Sequence, residues 1–153
     1  MSSPVSDLLN NGLLADSEGV GSETRELLAS ESFSEIIAFS QDTFIIYQGK
    51  EPDALYFTIS GLFHAISHAH PEAPQRLLGR IEPGEFIGEV CLVDRESTAS
   101  ASVKALRNAQ VLKMTREAYD QFCASHPAQA LELTRAVSTQ LGKRLRKANE
   151  RLL

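Results

Sequence analysis

The stretch "FIIYQGKEPDALYFTISG", residues 44–61, decides the architecture. Two apolar runs rich in β-branched and aromatic residues, Phe44 to Tyr47 and Ala54 to Ile59, flank a polar segment holding Gly49, Pro52 and Asp53, and Gly61 follows the second run. Short runs of that composition between turn residues read as strands. Gly49 and Gly61 stand where tight turns would strain a residue carrying a side chain. Tyr56, Phe57 and Ile59 between them supply apolar groups to the faces of a sheet.

Outward from this stretch the same texture repeats. "SEIIAFS" precedes it, and "LFHAISHAH", "LLGRIEPGEFIG", "SASVKAL" and "AQVLKMT" follow. So many short strands with close punctuation predict a mainly β chain with flanking helices, folded as an antiparallel β-roll of the jelly-roll kind. Upstream, "MSSPVS" reads as a loose terminus, and "DLLNNGLL" as a short helix stopped near Asn11-Gly12. A second short helix, "SETRELLAS", has Ser22 as candidate N-cap but Arg25 three residues on, so no capping box forms. Downstream, "TREAYDQFCASHP" predicts a helix starting at Thr115, with Glu117 in its first turn and Pro127 interrupting or restarting it.

The last segment, "AQALELTRAVSTQLGKRLRKANERLL", has no proline, and Val137, Leu141, Leu145, Ala148 and Leu152 recur at spacings of four, four, three and four. That is the seam of a helix packed along its length. At about 1.5 Å per residue it reaches roughly 39 Å, more than a small β domain needs for its own cover. A second copy of the helix is the expected partner, making a homodimer; folding back onto its own roll is the alternative. The chain divides into a flexible N-terminal segment with a short helix (1–21), the roll with its flanking helices (22–127) and the long helix (128–153).

Composition narrows the function classes. The 153 residues are 42 % hydrophobic and 23 % charged, enough to bury a core without staples. A net charge of −5 argues against a general nucleic-acid binder. Cys91 and Cys123, with no signal peptide, predict reduced thiols in a cytoplasmic protein, pairing between them being the alternative. No apolar run approaches the ~20 residues of a membrane span.

The order of parts, with "FIIYQGKEPDALYFTISG", "IEPGEFIGEVCLV", "ASV" and "AQVLKMTREAYDQF", resembles the cyclic-nucleotide-binding domain of the catabolite-activator and protein-kinase-regulatory type, over about residues 22–153. The resemblance implies a regulatory module, not an enzyme, that requires no cofactor and whose ligand would be a cyclic nucleotide (cAMP or cGMP) or another small anion. It implies that Gly88 and Glu89 open a short helix whose N–H groups, including those of Val90 and Cys91, face the cyclic phosphate, and that Glu89 takes a sugar hydroxyl. A helix start suits an anion, because its N–H groups lack partners and carry partial positive charge. Alternatively, Glu89 only complements its own helix start.

Three departures weaken the likeness. Counting back from Ala101-Ser102-Val103, the family's phosphate arginine is replaced by Ala99, between Thr98 and Ser100. A buried phosphodiester needs a compensating cation, and an alanine supplies none. Arg95, Arg76 and Arg80 are the candidate substitutes, solvated side chains being the simpler reading. The base-contacting threonine and serine of the catabolite-activator type correspond to Ala148 and Asn149, of which only Asn149 can hydrogen-bond through its side chain. No helix-turn-helix follows within the 153 residues, so direct DNA binding is not expected, although a separate DNA-binding subunit or another protein partner is compatible with the pattern. The cations Lys143, Arg144, Arg146, Lys147 and Arg151 read as solvated flanks of the helix seam.

Other chemistry is set aside. His64, His68 and His70 share parity, but Pro71 ends the strand before Glu72 can join a cupin-like metal set. No Ser-His-Asp arrangement, phosphate-binding glycine loop or Cys-x-x-Cys pair is present. Neither metal nor catalysis is expected, which leaves a sensor module with a degenerate pocket, or a scaffold working through its long helix.

Overall fold

A computed structural model describes residues 20–152, with 90, 91, 93 and 95 excepted. The expected helix at "DLLNNGLL" and the roles given to Val90, Cys91 and Arg95 therefore lie outside the described residues. The elements are α1 (Ser22–Leu28), β1 (Glu35–Phe39), β2 (Phe44–Ile46), β3 (Ala54–Ser60), β4 (Phe63–Ser67), β5 (Arg76–Ile81), β6 (Phe86–Ile87), β7 (Ser102–Ala105), β8 (Ala109–Thr115), α2 (Arg116–Ser125) and α3 (Pro127–Arg151).

The strands form two antiparallel sheets, β1-β8-β3-β6 and β2-β7-β4-β5. Strand β3 is buried along Ala54 to Ile59, because both of its faces are covered. Ala54 and Tyr56 point between the sheets, where they meet Ile46, Phe63, Ile81, Val103, Ala105 and Val111. Leu55, Phe57 and Ile59 point the other way, onto Leu28, Phe122, Ala130, Leu133 and Val137 of the helices. The stretch that opens like one apolar block thus alternates between two cores.

The segment "LLGRIEPGEFIG" is two strands, not one, because Pro83 and Gly84 (φ +93°) turn the chain between β5 and β6. Gly49 and Gly61 have φ of +83° and +91°. Thr115 caps α2, its hydroxyl accepting from the Ala118 N–H at 3.1 Å. Pro127 restarts the chain as the first residue of α3, where a missing N–H costs nothing.

Ser22 does not cap α1. The N-cap is Gly21, and Glu132 of α3 does the capping from a distance: one carboxylate oxygen accepts from the Gly21 N–H at 2.7 Å and the other from the Thr24 hydroxyl at 2.8 Å. A tertiary acceptor with two oxygens has displaced the local serine.

The predicted seam of α3 splits. Val137 is buried in the roll's own helix-side core together with Ala130, Leu133 and Ala136, whereas Leu141, Leu145 and Leu152 are 38, 62 and 86 % exposed. The proximal half of α3 folds back on its own roll, and the distal half carries apolar side chains that the roll leaves uncovered. Among the described residues no helix is long and apolar enough to cross a membrane.

Candidate functional site

The site is built from the turn that leads into β6. Thr58 is fully buried in the middle of β3, and its hydroxyl must find polar partners there. It donates to the carbonyls of Glu82 (2.7 Å) and Glu85 (3.0 Å) and accepts from the Glu85 N–H at 3.0 Å, which holds the 82–85 turn to the sheet. From this anchor the chain runs through Phe86 and Ile87 to Gly88 and Glu89. Gly88 has φ +78°, and a Cβ there would stand 2.6 Å from the Ala54 carbonyl oxygen, so the backbone passes closer to β3 than any side chain permits.

Helix α3 grips this segment. The Phe86 N–H donates to Gln140 Oε1 at 2.6 Å, and the Phe86 carbonyl accepts from Arg144 Nη2 at 2.6 Å. The same guanidinium lies 3.6 Å from Glu85 Oε1 and 3.5 Å from Glu89 Oε1. Glu89 is only 13 % exposed, so its carboxylate depends on that pairing. Among the described residues two carboxylates share this one guanidinium. Arg151 extends the contact by donating to the Leu78 carbonyl of β5.

Arg144 is thus not the solvated flank that the helix pattern suggested. It faces the roll, as Gln140 does, while Lys143, Arg146, Lys147 and Arg151 are exposed, Arg151 still reaching the Leu78 carbonyl. The signal available in the sequence was the set Ala130, Leu133, Ala136, Val137, Gln140 and Arg144, a second helical face that turns polar where the core ends.

Ala99 precedes β7 and lies against the Gly49–Lys50 backbone. Its N–H donates to the Lys50 carbonyl at 2.8 Å and its carbonyl accepts from the Gly49 N–H at 2.9 Å, which locks the backbone. Its side chain packs against the apolar cluster between the sheets. The cations on neighbouring strands lead away from it. Lys104 pairs with Asp42 at 3.7 Å, and Arg80 with Glu82 at 4.0 Å. The cross-strand partners Lys104, His64 and Arg80 form one row on the face opposite Val103, Phe63 and Ile81, which point into the core. Arg76 is exposed.

The structure brings Glu89 together with Arg144, and sets Gly88 against Ala54 and Ile46. Ser100, Ala148 and Asn149 are exposed, and Asn149 lies in the distal part of α3 that the roll leaves uncovered. Among the described residues no group of three His, Cys, Asp or Glu side chains gathers to hold a metal ion.

The cyclic nucleotide-binding domain family matches residues 36–126, and the chain belongs to that family. A cyclic nucleotide-binding domain from Methylobacillus flagellatus superposes with a TM-score of 0.78 at 22 % identity, covering 96 % of this chain and 79 % of that one. The catabolite activator protein of Thermus thermophilus has a TM-score of 0.70 at 31 % identity, covering 88 % and 60 %. A mutant regulatory subunit of a cAMP-independent protein kinase A from Trypanosoma brucei, in which one of three substitutions turns threonine into arginine, is bound to cAMP in its A site; it has a TM-score of 0.67 at 17 % identity, covering 92 % and 50 %. The chain spans less than half the length of the curated relatives it matches.

Proposed function

We propose that the chain is a regulatory module of the cyclic-nucleotide-binding type whose phosphate pocket is degenerate and whose output is the position of α3. The observation that carries this is Ala99, which stands at the arginine position with its backbone locked and its side chain against apolar groups. An arginine fork on a buried phosphodiester is worth about 2–5 kcal/mol, so its loss costs roughly 30-fold to several thousand-fold in affinity. The Arg144–Glu89 pair supports the second half of the reading, since whatever engages Glu89 competes for the guanidinium that holds α3 to the roll.

Calorimetric titration with cAMP and cGMP tests it. The wild-type chain is expected to show no saturable binding at micromolar concentrations, and Ala99→Arg to recover it. The Trypanosoma subunit, described as cAMP-independent and bound to cAMP in a mutant that gains an arginine, is a parallel for that change. Micromolar binding by wild type would sink the degenerate-pocket reading.

A second reading, a dimeric scaffold that needs no ligand, is favoured by the exposed Leu141, Leu145 and Leu152. Ala148 completes that face, whereas Val137 serves the core. Sedimentation of Leu141→Glu/Leu145→Glu beside wild type decides it: a dimer that dissociates in the variant supports the seam, and a wild-type monomer removes it. We place the module in the cytoplasm on the ground of its thiols, of which Cys123 is free.

A further inference from the structure

We infer that the distal half of α3 lies on an anionic lipid surface, its leucines entering the interface and its cations answering the headgroups. Position along the helix carries the first half of this. Gln140 and Arg144 face the roll through their bonds to Phe86, and Arg151 reaches the Leu78 carbonyl. Leu141, Leu145 and Leu152 are the next residue after each, so they form one ridge about 100° further round the helix. The roll leaves that ridge uncovered, at 38, 62 and 86 % exposure. Strand β5, to which Arg151 ties the helix end, adds Leu77 and Leu78, both exposed. The apolar surface thus continues from the helix onto the edge of the neighbouring sheet.

Charge decides what covers the ridge. Residues 141–152 hold five cations and one carboxylate, in a chain whose net charge is −5. Arg144 is committed to Glu85 and Glu89, but Lys143, Arg146 and Lys147 are exposed and pair with no carboxylate among the described residues. Arg76, beside Leu77, is exposed as well. A second copy of the helix answers the leucines but brings the same excess of cations to the contact, and a nucleic acid answers the cations but not the leucines. An acidic lipid surface answers both, because leucines seat at the acyl boundary while long basic stems carry their charge back to the headgroups. At about 1.5 Å per residue the segment offers roughly 18 Å to lie in that plane, without spanning it. The grip of Gln140 and Arg144 on Phe86 fixes the rotation of α3 about its axis, and so the direction in which the ridge points.

Cosedimentation of the full chain with vesicles tests it, using phosphatidylcholine alone and phosphatidylcholine mixed with phosphatidylserine. Wild type is compared with Leu141→Ser/Leu145→Ser and with Lys143→Gln/Arg146→Gln/Lys147→Gln, all exposed positions, and thermal melts check that each variant is folded. Wild type is expected to bind the mixed vesicles on the order of tenfold or more tightly than the neutral ones, and to lose that binding as salt is raised. Each variant is expected to weaken it by on the order of tenfold or more. Absence of binding, equal binding to both kinds of vesicle, or undiminished binding by either variant overturns the inference. So does tighter binding to DNA or to an acidic polypeptide than to the mixed vesicles. A wild-type dimer that ignores vesicles and is dissociated by Leu141→Glu/Leu145→Glu gives the ridge to a second copy and overturns it too. None of these outcomes bears on the degenerate-pocket reading, which the nucleotide titration decides separately.

Discussion

Three glycines with positive φ separate backbone strain from crowding. Gly49 has open space where a Cβ would stand, Gly88 has the Ala54 carbonyl oxygen at 2.6 Å, and Gly61 has Ala109 Cβ at 2.5 Å and Ala109 Cα at 2.8 Å. Alanine at Gly49 is expected to cost about 1 kcal/mol from the left-handed conformation alone, and alanine at Gly88 or Gly61 about 2–4 kcal/mol, because backbone must also move. At about 2–4 °C per kcal/mol for a chain of this size, thermal melts resolve the order; equal losses at all three would refute the crowding argument. Tyr119 offers a pH test. The Thr134 hydroxyl donates to the Ala130 carbonyl at 2.8 Å, so the Tyr119 hydroxyl is the donor in its 2.6 Å bond to Thr134. Burial pushes the phenol above its usual 10.0. The folded chain then holds that proton more tightly than the unfolded one, so this group's contribution is fully present below pH 10 and is lost as pH rises through the raised value. Denaturant midpoints should fall above pH 10, and less steeply in Tyr119→Phe; identical slopes would show that other groups dominate.

At the scale of the element, α3 joins two environments in one helix. Leu133 is 1 % exposed and packs with Phe57, Met114 and Phe122, whereas Leu145 is 62 % exposed. Leu133→Ala is expected to cost about 2–5 kcal/mol in urea unfolding. Leu145→Ala should stay within about 0.5 kcal/mol for a monomer, and a larger loss that grows with protein concentration would place that residue in a subunit contact. Gly142 belongs to the same distal half, with no described atom within 4 Å of where its Cβ would lie. A glycine inside an exposed helix costs about 1 kcal/mol relative to alanine, and no contact within the chain explains it.

For the molecule as a whole, the link between roll and helix runs through Gln140 and Arg144. Arg144→Ala is expected to cost about 1–3 kcal/mol, because it leaves the Glu89 carboxylate, 13 % exposed, and the Phe86 carbonyl without the guanidinium. It should still speed amide exchange in residues 141–152 while leaving 130–137 protected, and unchanged exchange in the distal helix would mean that the grip is not the tether. The β-roll, the Thr115 helix start and the restart at Pro127 were legible in the sequence, because alternation, turn residues and caps act within a few positions of the residue they govern. That residue 99 carries no charge was legible too, since an alanine has none to offer wherever it lies. The two-core alternation of β3, the capping of α1 by Glu132 across 111 positions and the grip of Arg144 on Glu89 were decided by tertiary structure alone. Periodicity marks which residues share a helix face, but not whether a sheet, a carboxylate or solvent lies opposite; that depends on where chain segments distant in sequence come to rest.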